Sequence, residues 1–162
     1  MLPRKTVLLG LAITTAMAPL AVIPESVPGK RALPKCSRGM TLQDNADGLH
    51  MKSVKPDPHL AFARLPKGIL GPLEVEVEVS SGMGKYGAFF WSGPGQTFTG
   101  QRRVKYDVRD SGRQTYRVPI LGVKELTALR FDPGPNAGEA TLHRLTLILP
   151  FSDPVQLWPP RP

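Results

Sequence analysis

The sequence is poor in the residues that staple a fold or carry out chemistry. It has one cysteine, Cys36. No intrachain disulfide can form, and a cysteine-built structural zinc site, which needs about four ligands, is excluded. Three histidines occur, His50, His59 and His143, and none pairs with another at metal-ligand spacing. No Gly-x-Ser-x-Gly turn presents a nucleophile; Ser81-Gly82 and Ser92-Gly93 read as turn residues. Acidic residues are the minority, 13 against 21 lysines and arginines, and no acidic cluster supplies the roughly six to eight oxygens that calcium requires. Beyond residue 23 no segment has a convincing helical period.

Alternation is what the sequence has instead. Leu73-Glu74-Val75-Glu76-Val77-Glu78-Val79 places Leu and Val on one face and Glu on the other, the signature of a strand with one buried side. Further short runs follow, separated by turns that draw on 18 prolines and 16 glycines. Strands are expected at 49–54, 60–65, 73–80, 85–92, 102–108, 114–120, 126–132 and 138–149. About eight strands at near-regular spacing predict an all-β fold, an antiparallel β-sandwich of the jelly-roll type. In the last run Ala140 and Leu142 share one face, and Leu145 and Leu147 share another, one residue out of phase. A β-bulge near His143-Arg144 would turn all four inward.

The 162 residues suffice for one domain with a real core. Residues 1–21 read as a signal peptide or membrane anchor: Arg4 and Lys5, an apolar run, then Ala16-Met17-Ala18. Pro19 hinders cleavage. An uncleaved tether through residues 7–23 is the alternative, near the lower limit of about 17–25 residues for a spanning helix. Either outcome predicts a protein exported by a bacterium and periplasmic, secreted or membrane-tethered. Residues 22–46 read as a basic Pro/Gly-rich linker, 47–149 as the sandwich and 150–162 as a Pro-rich tail that frays.

Five segments in order carry a family resemblance: Ala88-Phe89-Phe90-Trp91, Arg102-Arg103-Val104, Gln114-Thr115-Tyr116-Arg117-Val118, 126–133 with its Leu129-Arg130-Phe131-Asp132-Pro133, and Gly138 followed by Leu142-His143-Arg144-Leu145-Thr146-Leu147. This order resembles galactose-binding-domain-like jelly rolls, similar in fold to carbohydrate-binding modules, of the kind found beside bacterial glycosyltransferases. The resemblance covers residues 73–149 and implies a binding fold. Relatives often carry an acidic residue where His143 stands, so a role tied to that acid does not transfer.

The candidate chemistry is sparse. His50 and His143 fall on the first and last expected strands, where they would either touch or sit as surface or core residues. Glu74, Glu76 and Glu78 lie on one strand face about 7 Å apart. Glycosidase carboxylates oppose each other across a cleft, so pairing with Arg102, Arg103 or Lys105 on a neighbouring strand is the better account. Asp132 is expected to cap the turn 132–136 by accepting backbone N–H bonds. In 85–91, Tyr86, Ala88 and Phe90 share one face and Phe89 and Trp91 the other; one set must be core. Trp91 with Arg102 and Tyr116 forms either a sugar-stacking platform or part of the core. The basic balance favours anionic partners, and export makes nucleic acid an unlikely one. The reading is a non-catalytic envelope binding or accessory module, without cofactor or metal, recognising a glycan. The alternative is a structural domain docking onto an envelope protein such as a glycosyltransferase.

Overall fold

Alternation becomes structure throughout the described residues. The computed structural model describes residues 33–63 and 65–159. Their strands are β1 (Lys35–Cys36), β2 (Met40–Asn45), β3 (Gly48–Ser53), β4 (Leu60–Phe62), β5 (Leu73–Ser81), β6 (Tyr86–Ser92), β7 (Arg103–Asp107), β8 (Gln114–Ile120), β9 (Ala128–Asp132), β10 (Gly138–Ile148) and β11 (Val155–Trp158). They form two antiparallel sheets, one ordered β1-β4-β9-β6-β7, the other β2-β3-β10-β5-β8 with β11 also on β10. All eight expected strands are present, and the sandwich is as the alternation predicts. No helix among the described residues is long and apolar enough to cross a membrane. The expected signal or anchor, residues 1–21, and the tether segment, residues 7–23, lie outside the described residues.

The core lies between the sheets. Val75, Val77 and Val79 of β5 meet Phe89 of β6 and Phe131 of β9 there, all of them buried. Phe89 stacks on Phe131 at 5.3 Å and on Tyr106 of β7 at 5.8 Å between centroids. Gly87 makes room for this cluster: a Cβ at that position would stand 2.3 Å from the Tyr106 ring. Only glycine allows so close an approach.

Two boundaries differ from the sequence reading. The expected linker contains β1 and β2. β2 pairs with β3 from Met40↔Ser53 to Asn45↔Gly48, so Asp47-Gly48 closes a hairpin rather than opening the first strand. The alternation Met40-x-Leu42 is too short, and too polar afterwards, to stand out as an edge strand. The expected tail contains β11, whose Trp158 is 1% exposed and pairs with Leu145 of β10. Its prolines hide one short strand. The folded unit therefore reaches from at least Lys35 to Trp158.

The bulge forms where the phase change requires it. β10 pairs with β5 as Leu142↔Val79 and then Arg144↔Glu78, leaving His143 as the extra residue. Its ring ties the bulge down: Nδ1–H donates to the Asp47 carbonyl at 2.6 Å, and Nε2 lies 2.9 Å from the Ser80 hydroxyl. His50 instead meets Thr141, so the two histidines do not touch. Among the described residues no group of three or more His, Cys, Asp or Glu converges on a metal position.

Two outcomes test this architecture. Trp158→Ala should lower unfolding stability by about 3–5 kcal/mol, read by urea titration, whereas a frayed tail would leave it unchanged. Deleting His143 removes the bulge but keeps Leu142 and Leu145 inward. It should yield a folded domain weaker by about 1–3 kcal/mol for two lost hydrogen bonds. Deleting Thr146 flips the phase of Leu147 and should abolish the cooperative transition in the same assay.

Candidate functional site

The site expected from sequence does not assemble. Trp91 is 8% exposed and Tyr116 also 8%. Trp91 shares the inward parity of Phe89 on β6. Tyr116 shares that of Val118 and Ile120 on β8, in the other sheet, where it packs on Tyr106 at 4.8 Å and accepts a hydrogen bond from the Arg109 N–H. Arg102 follows β6 only through its backbone, whose carbonyl accepts the Trp91 N–H. Its guanidinium is turned to the Thr97 carbonyl at 2.6 Å, within its own loop. Core packing claimed both aromatic rings.

That choice sends the opposite set outward. Tyr86, Ala88 and Phe90 face away from the core on the outer side of the five-stranded sheet, beside outward residues of β7 and β9. Register aligns them: Phe90 stands between Arg103 and Arg130, and Ala88 between Lys105 and Asp132. The Arg103 and Arg130 guanidinium carbons lie 5.6 and 4.6 Å from the Phe90 centroid, and the Lys105 ammonium 4.2 Å from that of Tyr86. These are cation–π distances. Because β6 lies between β7 and β9, the two guanidiniums approach Phe90 from its two flanks.

Loops wall this face on one side. Arg130 makes a two-pronged contact with Asp132 at 2.7 and 2.8 Å and a third bond to Asp57 at 2.7 Å. Asp57 holds φ at 58°, in the left-handed region that aspartate tolerates better than most residues, and its N–H donates to the Pro135 carbonyl. Gly134 lets that turn settle on Met83, whose carbonyl oxygen would be 2.3 Å from an added Cβ. Burial works against the Arg130 charge, but the hydrogen bond and charge of Asp132, with help from Asp57, outweigh it and raise its pKa. Burial pushes the Asp132 carboxyl up, and Arg130 pulls it part of the way back. Asp132 thus accepts guanidinium N–H bonds, where the sequence suggests a backbone cap. The result is a small concavity of about 80 Å³ bounded by Tyr86, Phe90, Arg103, Lys105, Asp57 and Asp132.

The other sheet spends its charges differently. The neighbours of β5 are β8 and β10, not β7, so Arg102, Arg103 and Lys105 are not the partners of its glutamates. Glu76 pairs with Arg117 and Arg144, and Glu78 with Arg113 and Arg144. The Arg113 hydrogen bond holds the Glu78 carboxyl below its ordinary pKa, against a smaller effect of burial. Among the described residues Arg103 and Lys105 form no ion pair. The sequence named these two only as partners for the glutamates, and it offered Tyr86 and Phe90 as one of two faces. The spacing Arg130-x-Asp132 was the signal for the buttress.

Comparison with solved structures fits this architecture. A low-affinity xylan-binding module, CBM86, from the gut symbiont Roseburia intestinalis superposes with a TM-score of 0.51 at 16% identity, over 74% of this chain and 91% of that one. The chain shares the jelly-roll fold of that module. A family 29 module, CBM29-2, and a family 6 module superpose more loosely. The first has a TM-score of 0.48 and 12% identity, over 72% of this chain and 84% of that one. The second has 0.46 and 12%, over 68% and 87%. No family model matches the chain, and no curated protein does.

In this jelly-roll fold, parity on β6 predicts opposite costs for adjacent aromatics. Trp91→Ala should destabilise by about 3–5 kcal/mol, as a large buried side chain does. Phe90→Ala, at a partly exposed position, should cost less than half as much. Urea unfolding of the two variants measures the difference.

Proposed function

We propose that this chain is a non-catalytic glycan-binding module, exported to a bacterial envelope, that holds its ligand on the outer face of the five-stranded sheet. One observation carries the reading. Tyr86 and Phe90 stand partly exposed on an open sheet face, with polar groups fixed around them by the Asp57–Arg130–Asp132 cluster. Sites for small polar ligands combine aromatic surface with a few positioned polar groups, and this face has both. The likeness in fold to a xylan-binding module raises the expectation, but function is argued from the site.

The absence of catalysis is argued from the carboxylates. Glu74, Glu76 and Glu78 sit side by side on one strand, and the last two are bound to arginines. A glycosidase pair faces across a cleft. Export rests on the basic start, apolar run and small residues of residues 1–21.

A second reading, a domain that docks onto an envelope protein, is favoured by a different feature. An apolar groove of about 490 Å³ lies where the sheet edges open, lined in part by Leu33, Phe62, Leu65, Val155 and Leu157. With Trp91 buried, the glycan reading depends wholly on the Tyr86–Phe90 face.

A glycan array probed with the full-length chain separates the two. Binding should appear, and Phe90→Ala and Tyr86→Ala should each weaken it at least about tenfold, equivalent to about 1.4 kcal/mol, with the circular dichroism spectrum unchanged. No binding to any glycan, or binding indifferent to both substitutions, would move the reading to docking through the groove.

A further inference from the structure

The rings of the candidate site are not bare. Phe90 is flanked by Arg103 and Arg130, and Tyr86 is covered by Lys105. A neutral sugar seeking a free aromatic face would have to displace a cation from it. These cations also differ in what holds them. Arg130 is neutralised by Asp132 and Asp57 and acts as a strut. Arg103 and Lys105 are exposed and, among the described residues, unpaired. The arginines Arg113, Arg117 and Arg144 on the outer side of the other sheet are all committed to Glu76 or Glu78. Of the two outer sheet faces, the aromatic one thus keeps Arg103 and Lys105 uncommitted, while these three arginines of the other are spent on glutamates.

Register extends the pattern across the sheet. Lys35, Ala61, Arg130, Phe90 and Arg103 form one continuous row over β1, β4, β9, β6 and β7. Four strand spacings of about 4.8 Å make it roughly 19 Å long. An exposed cation ends the row on each side, Lys35 and Arg103, and Lys105 stands beside the second. Asp132 and Asp57, both bonded to Arg130, are the carboxylates nearest this track, and Asp107 lies two residues past Lys105 on the same face of β7. They border the row, and none lies on it.

Resting on the glycan-binding reading above, we propose that the ligand is a polyanionic polysaccharide, carrying carboxylate or sulfate groups, laid across the strands along this row. Arg103 and Lys105 bind its anionic groups with charge-assisted hydrogen bonds, and Lys35 meets the far end. Phe90 and Tyr86 hold the cations in place from beneath and pack against the sugar edges.

The full-length chain tested by affinity electrophoresis and calorimetry distinguishes the outcomes. The probes are polygalacturonate (carboxylate), dextran sulfate (sulfate), unsubstituted xylan (neutral), single-stranded DNA and phosphatidylserine vesicles. Expected is binding to polygalacturonate, dextran sulfate or both, weakened by salt, with xylan bound at least about tenfold more weakly. Which of the two acidic polymers is held names the anionic group. Arg103→Ala and Lys105→Ala should each weaken binding about tenfold, the size of one charged hydrogen bond. Arg103→Glu should abolish it with the melting temperature kept. Arg113→Ala, which changes charge on the opposite sheet, should leave binding unaltered. Equal or tighter binding to xylan, insensitive to Arg103→Glu, would overturn the anionic ligand and leave the glycan reading standing. Binding to no polysaccharide would overturn both. DNA or vesicles held as tightly as the acidic polymers would reduce the face to unselective charge attraction and overturn the proposal.

Discussion

A strand turns alternate residues to opposite faces, and on β6 that constraint decides almost everything else. Phe89 and Trp91 cannot be buried without sending Tyr86, Ala88 and Phe90 outward. The neighbouring strands obey the same parity. Phe131 and Leu129 go inward with Phe89, so Arg130 and Asp132 come out beside Phe90 and Ala88. Tyr106 goes inward, so Arg103 and Lys105 come out. One packing decision, made by the largest apolar side chains, thereby writes a row of aromatic and charged groups on the opposite side of the sheet.

The two outer faces then diverge because their charges meet different neighbours. On the six-stranded sheet, β5 carries glutamates between strands that carry arginines, and the face closes into a lattice of ion pairs. Such exposed pairs contribute little to stability individually, but they leave few charges there for a ligand. On the five-stranded sheet the two carboxylates nearest Phe90 are used on a single arginine. Asp57 and Asp132 converge on Arg130 through a loop held in a left-handed turn, which builds a rigid rim and leaves Arg103 and Lys105 uncommitted. The same residue types yield a sealed face and an open one.

Much of the fold was legible. Strict alternation in 73–79 and 114–120 named two strands nearly to the residue. The phase slip between Leu142 and Leu145 located a bulge, because an apolar set cannot change phase without an extra residue. The edge strands were not legible. β2 has one buried apolar residue and a polar end, and β11 is a short run among prolines. Each is stabilised by pairing with a strand already in place rather than by its own pattern. The site was half legible: alternation split 86–91 into two aromatic sets but gave no rule for choosing the buried one.

The sequence by itself determined the class of the molecule: an all-β sandwich with a basic surface, without an intrachain disulfide, and with the positions of most strands and the bulge. These are local properties, written in a two-residue period, turn residues and composition. The tertiary structure alone decided which strands adjoin, and so which charges meet. β5 lies between β8 and β10, and β6 between β7 and β9. Arg103 therefore stands beside Phe90 and not beside a glutamate, and Trp91 belongs to the core. Pairing across a sheet joins residues far apart in the chain, and no local pattern encodes which strand will be the neighbour.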